Sequence, residues 1–102
     1  MRKITLYVGL FDKDTHTQLI NTLSAYQVVS NIVPDCTITE GKGKYTHLDG
    51  SVVIEPTLIV EILHFGDTFD KGYYTKLANK IKVALNQESV AYQEQEIESE
   101  LI

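Results

Sequence analysis

The chain of 102 residues is long enough for one domain with a single core and no covalent staples. Its lone cysteine, Cys36, excludes an internal disulfide, and 43% hydrophobic with 23% charged residues is the balance of an ordinary soluble globular protein. The net charge of −5 is unevenly placed: Glu94, Glu96, Glu98 and Glu100 hold four of those charges, which leaves residues 1–93 at −1 and argues against direct nucleic-acid binding.

The opening MRKITLYVGL has two basic residues but no apolar stretch followed by a small-residue cleavage site, so it does not read as a signal peptide. No run approaches the roughly 18 apolar residues that a spanning helix needs. The expectation is a cytoplasmic protein without a membrane segment. From Lys3 to Leu10 the residues alternate, with Ile4, Leu6, Val8 and Leu10 on one face and Lys3, Thr5, Tyr7 and Gly9 on the other. That predicts a first strand with one face on a core.

Thr15-His16-Thr17-Gln18 has the form of a capping box, with Thr15 as N-cap. The helix expected after it buries Leu19, Ile20, Leu23 and Tyr26, and ends before Pro34. Asp35 to Tyr45 reads as a second strand in which Gly41 and Gly43 suggest a bulge and Lys42 and Lys44 a blunted edge. Asp49-Gly50 predicts a type I′ hairpin turn. Val52 to Glu55 then starts the return strand, with a break or bend at Pro56.

The longest apolar run, Thr57 to Phe65, lies between Pro56 and Gly66 and predicts a buried central strand with one charge in it, Glu61. A second helix is expected from about Asp70 to Asn86, with Tyr74, Leu77, Ala78, Ile81 and Leu85 as its apolar stripe. A last strand begins near Ser89 and runs into the acidic end. The order β-α-β-β-α-β predicts a ferredoxin-like α+β sandwich: an antiparallel sheet, first and third strands central, both helices on one face. Residues 1–93 form the single domain, and 94–102 an acidic tail that is extended or disordered.

Four segments carry a family resemblance: LYVGL at Leu6 to Leu10, PDCTITEGKGKY at Pro34 to Tyr45, DGSVVIEPTLIVEIL at Asp49 to Leu63, and QESV at Gln87 to Val90. With them the chain resembles a family of small uncharacterised bacterial proteins, a domain of unknown function often found on secreted or lipid-anchored chains. The resemblance implies the ferredoxin-like fold and no known activity. The Glu-rich end, and the lack of an export or lipid-attachment signal, depart from that family's pattern.

Burying an ionised carboxylate under the helices costs several kcal/mol unless it is paired. Glu61 is therefore expected on the helix-free face, beside Thr5 and Tyr7 and paired with Lys3 or a tyrosine hydroxyl. Ile59 and Leu63 on that face are apolar enough to want a cover. His16, His47 and His64 fall on three separate elements, which gives no metal-ligand spacing, and Cys36 has no basic neighbour to activate it. Gly41-Lys42-Gly43-Lys44 lacks the spacing of a phosphate loop, and Lys71, Lys76, Lys80 and Lys82 read as a solvated face.

The leading expectation is a non-enzymatic binding or oligomerising module. It would form a homodimer through Thr5, Tyr7, Ile59, Glu61 and Leu63, bind a protein partner or small ligand, and use no cofactor or metal. One alternative is a small-molecule enzyme in which Tyr7 and Glu61 act in a pocket between sheet and partner subunit. Another is an inhibitor or adaptor that offers Glu94, Glu96, Glu98 and Glu100 to a nucleic-acid-binding protein.

Overall fold

The alternation at the N-terminus places Ile4, Leu6 and Val8, all fully buried, on one face of strand β1 (Arg2–Gly9). The computed structural model describes residues 1–102. After β1 come helix α1 (Thr22–Ile32), strands β2 (Thr37–Thr46) and β3 (Val52–His64), helix α2 (Lys71–Ala84) and strand β4 (Ala91–Glu96). All strand pairs are antiparallel, in the order β2-β3-β1-β4, so β1 and β3 are central. This is the ferredoxin-like sandwich that the sequence predicts.

The register settles which residues share a face. Thr5 lies opposite Glu61 and Tyr7 opposite Ile59, while Leu6 meets Val60 and Val8 meets Leu58. Even-numbered residues of β1 and β3 therefore face the helices, and odd-numbered ones face away. On the helix side Leu58, Val60 and Ile62 join the β1 residues, Ala25 and Val29 of α1, and Tyr74, Leu77, Ala78 and Ile81 of α2 in one core. No helix is long and apolar enough to cross a membrane.

Helix α2 follows its apolar stripe closely, and Asp70 caps it by accepting from Gly72 N–H at 2.9 Å. Helix α1 departs from expectation. It starts at Thr22, with Asn21 as the N-cap accepting from Ser24 N–H at 2.8 Å. Thr15 does not cap a helix: His16 after it takes φ 56°, outside the helical region. Thr15 Oγ1 therefore accepts from Thr17 N–H at 3.4 Å only within a turn, in which Asp12 Oδ1 accepts from Asp14 N–H and Thr15 N–H. The later start rotates the buried stripe onto Ala25 and Val29, with Val28 and Ile32 beside them. Leu19 and Leu23, expected inside, are each 67% exposed.

Three further expectations need correction. The hairpin turn is not type I′: Gly50 N–H bonds the His47 carbonyl, which makes Leu48 and Asp49 the central residues, and only Gly50 takes a positive φ, 88°. Nor does Pro56 break the strand, since β3 runs through it for 13 residues. Its carbonyl accepts from Leu10 N–H, so the missing donor faces the point where the β1 ladder ends. Finally, Glu94 and Glu96 belong to β4, opposite Ile4 and Arg2, so the residues beyond the sheet begin at Ile97, three later than the expected start of the tail.

Candidate active site

The continuity of β3 through Pro56 puts Val53, Glu55, Thr57, Ile59 and Glu61 on one face, the side away from the helices. Opposite Glu55 on β2 is Gly43, and opposite Thr57 are Gly41 on β2 and Gly9 on β1. Three residues without side chains surround Thr57 and Glu55 and leave a hollow in the sheet. A β-carbon on Gly9 would run into the Glu55 carboxylate, and one on Gly43 would stand 2.8 Å from Thr57 Oγ1. The hollow is the floor of a cavity of about 590 Å³, also lined by Tyr7, Tyr45 and Ala91.

Two loops form its walls. One follows β1 and brings Phe11, Asp12, Lys13 and His16; the other joins α2 to β4 and brings Gln87, Glu88 and Ser89. They are stitched together by polar groups. Asn86 Nδ2 donates to Asp12 Oδ2 at 2.7 Å and to Asp14 Oδ2 at 2.9 Å, and Lys13 N–H bonds the Asn86 carbonyl at 3.0 Å. Gln87 Nε2 donates to the Phe11 carbonyl at 2.9 Å. The rim on the far side is the β2–β3 hairpin, with Lys44, His47 and Ser51.

Glu55 is the carboxylate at the centre of this arrangement. It is only 9% exposed, and its Oε2 accepts from Phe11 N–H at 2.9 Å. Burial, and then the charge of Glu55 beside it, push the Tyr45 hydroxyl above its ordinary pKa, so Tyr45 stays a neutral donor next to the carboxylate. A ligand entering here meets the anchored Glu55 carboxylate on the floor, Asp12 and Glu88 in the walls, and the cations Lys13 and Lys44. Such a site suits a molecule with a cationic centre and an anionic end.

Of the residues singled out in the sequence, Tyr7 lines the cavity and Glu61 does not. Glu61 does lie on the helix-free face beside Thr5, and Lys3 Nζ holds its Oε2 at 2.9 Å. Both side chains are about a third exposed, so the pair is a screened surface bridge rather than an activated carboxylate. Ile59 is half-buried and Leu63 is exposed on the same face, away from the cavity lining. Tyr7 hydroxyl reaches Gln93 Oε1 only at 3.5 Å.

The structure also brings together what the sequence left apart. His16 and His47 come to the same cavity, while His64 lies outside it, with Nδ1 2.8 Å from the Tyr74 hydroxyl and Nε2 buried without a partner. Cys36 is half-buried, and burial and then Asp35 push its thiol up, which keeps it unreactive. Of Gly41-Lys42-Gly43-Lys44, which holds no phosphate-loop spacing, Gly43 and Lys44 line the cavity.

The loop clamp has a pH dependence with a fixed sign. The Asn86 amide above all, with the Asp14 and Thr15 amides, holds the Asp12 carboxyl below the usual carboxylate range. A depressed folded pKa means that the stabilisation is fully present above the unfolded value and is lost as pH falls through the lower folded one. The Asn86 side-chain amide signals in an NMR titration should hold steady from neutrality to about pH 5 and shift only below about pH 4. A shift centred near neutrality would refute the clamp.

Solved structures of similar fold include two of a phage SAM lyase. A phage SAM lyase in complex with S-methyl-5'-thioadenosine matches with a TM-score of 0.68 at 23% identity, over 93% of this chain and 80% of that one. A phage SAM lyase in the apo state matches with a TM-score of 0.67 at 21% identity, over 92% and 78%. No protein-family model matches, and no curated protein does. At these identities the likeness establishes the fold. Both neighbours are enzymes, however, which overturns the expectation of a non-enzymatic module.

Proposed function

We propose that this chain is an enzyme that binds S-adenosylmethionine in the cavity at the end of its sheet and breaks a carbon–sulfur bond, releasing S-methyl-5'-thioadenosine. The observation that carries the reading is Glu55, a nearly buried carboxylate held by Phe11 N–H on the floor of a cavity of about 590 Å³. That volume falls within the range of small-molecule sites, and the fold neighbours' substrate and ligand supply the chemical class.

The chemistry makes modest demands on the protein. S-Adenosylmethionine carries a sulfonium, which leaves as a neutral thioether once the bond pair moves onto sulfur, so the leaving group needs no proton. The four-carbon fragment completes the balance either by losing a proton from the carbon adjacent to the one bonded to sulfur, which gives an alkene, or by attack of its own carboxylate on the carbon bonded to sulfur, which gives a lactone. Glu55 attracts the sulfonium and fixes the carbon chain beside it, an interaction strengthened where water is excluded. In the first route it also takes the proton. Lys13 and Lys44, which also line the cavity, offer positive charge for the substrate carboxylate, and the rings of Tyr7, Phe11 and Tyr45 offer flat apolar surface for adenine.

Purified protein incubated with S-adenosylmethionine should generate S-methyl-5'-thioadenosine, read by chromatography. The mass of the four-carbon product tells the two routes apart. Thermal shift should show stabilisation by S-methyl-5'-thioadenosine. Neither product nor stabilisation at millimolar ligand would remove the reading.

A further inference from the structure

Glu55 can act on a ligand only if its carboxylate is aimed, and the group that aims it is a backbone amide. Phe11 N–H donates to Glu55 Oε2 at 2.9 Å. Yet Phe11 lies just beyond the sheet: the β1–β3 ladder ends at Gly9, and the last bond joining the two chains is Leu10 N–H to the Pro56 carbonyl at 3.0 Å. A residue at the mouth of a loop is free to turn unless something else holds it.

We propose that Gln87 is the positioning residue of this cavity: by gripping the Phe11 carbonyl it fixes the residue whose N–H aims Glu55. Gln87 is 7% exposed, and its side-chain nitrogen donates to both the Phe11 carbonyl, at 2.9 Å, and the Leu85 carbonyl, at 3.2 Å. Both hydrogens of the amide are used, so its orientation is fixed. Its own backbone is tied down as well, because Gln87 N–H bonds the Lys82 carbonyl at 2.9 Å and closes the end of α2. The line of force runs from the last turn of α2 through Gln87 and Phe11 to Glu55. Residues 76 apart in sequence thus set the direction of one carboxylate.

A buried amide with two bonds also stabilises the fold, so its part in the site needs a separate reading. The effect of Gln87 on catalysis passes through Glu55, and it should vanish when Glu55 can no longer act. Gln87→Leu and the same-sized Gln87→Glu both lose the donor to Phe11, and the second guards against a variant that fails to fold. Each should speed hydrogen exchange at the Phe11 amide about tenfold or more while the Leu6 and Val60 amides of the central strands stay protected.

In turnover of S-adenosylmethionine, kcat should fall about tenfold with KM within threefold, and no further loss should appear when Gln87→Leu is added to Glu55→Gln. This kinetic arm rests on the reading proposed above; the exchange arm does not. If the wild-type protein makes no S-methyl-5'-thioadenosine, that reading fails and Phe11 exchange alone decides the role of Gln87. Phe11 protection unchanged in both variants, or losses that add in the double variant, would overturn the proposal.

Discussion

Glu55→Gln should lower the release of S-methyl-5'-thioadenosine by about a hundredfold or more, the scale on which one preorganised polar group acts in an active site. The fold should survive the change. Glutamine keeps an oxygen that can accept from Phe11 N–H, the bond that Oε2 makes at 2.9 Å, and it removes a charge that is nearly buried. What it removes from the site is the negative charge that the proposed reaction sets against the sulfonium. Binding of neutral S-methyl-5'-thioadenosine should therefore change only a few-fold, while the cationic substrate loses both affinity and turnover. Glu55→Leu is the harsher variant: it strands the Phe11 amide, at a cost of about 1–3 kcal/mol. If Glu55→Gln turns over as the wild type does, the cavity carboxylate has no part in the reaction, whatever the protein binds.

The sequence points to Glu61 for the same chemical reason that makes Glu55 the better candidate: a carboxylate in a strand that must face away from the helices. The parity argument is sound, and the structure places Glu61 and Glu55 on the same face of β3. Local signals do not show that β3 passes through Pro56 unbroken. Once the strand is continuous, Glu55 stands three pleats from Glu61 on one face, at the end where Gly9 and Gly43 leave room. Glu61 meets Lys3 instead, because β1 brings that side chain within 2.9 Å. The strand order, the stripe of α2 and the core residues of β1 and β3 were all legible, since period 2 and period 3.6 patterns report burial directly. The start of α1 was not. Thr15 carries a cap's chemistry, but the chain turns at His16, and the Asp12 carboxylate that holds the Thr15 amide is also held by Asn86 from the far end of the chain. The cavity is made by such long-range meetings. Phe11, Glu55 and Gln87 have no spacing that could mark them as neighbours.

The glycines around Glu55 and Thr57 offer the second large effect, because they can be ranked in advance by what a methyl group would strike. Gly9 and Gly43 line the cavity, while Gly41 does not. Gly9 is the worst placed. A β-carbon there would overlap the Glu55 carboxylate, with Oε2 at 2.8 Å, and that carboxylate cannot swing aside without giving up Phe11 N–H. Gly43 comes next, with Thr57 Oγ1 at 2.8 Å; Thr57 is 9% exposed and bonds the Glu55 carbonyl. Gly41 is benign, since the nearest atom is Ile59 Cδ1 at 3.4 Å, close to ordinary contact. None of the three has a positive φ, so alanine is acceptable to the backbone at each. The differences among them must come from the cavity. Gly9→Ala should cost about 1–3 kcal/mol of stability, as overpacking does, and Gly41→Ala no more than about 0.5 kcal/mol. In the same series, affinity for S-methyl-5'-thioadenosine should fall about tenfold or more for Gly9→Ala, less for Gly43→Ala, and hardly at all for Gly41→Ala. Chemical denaturation and calorimetric titration on the three variants give both rankings. Equal losses at Gly9 and Gly41 would mean that the ligand lies elsewhere, because only Gly9 touches the carboxylate around which the cavity is built.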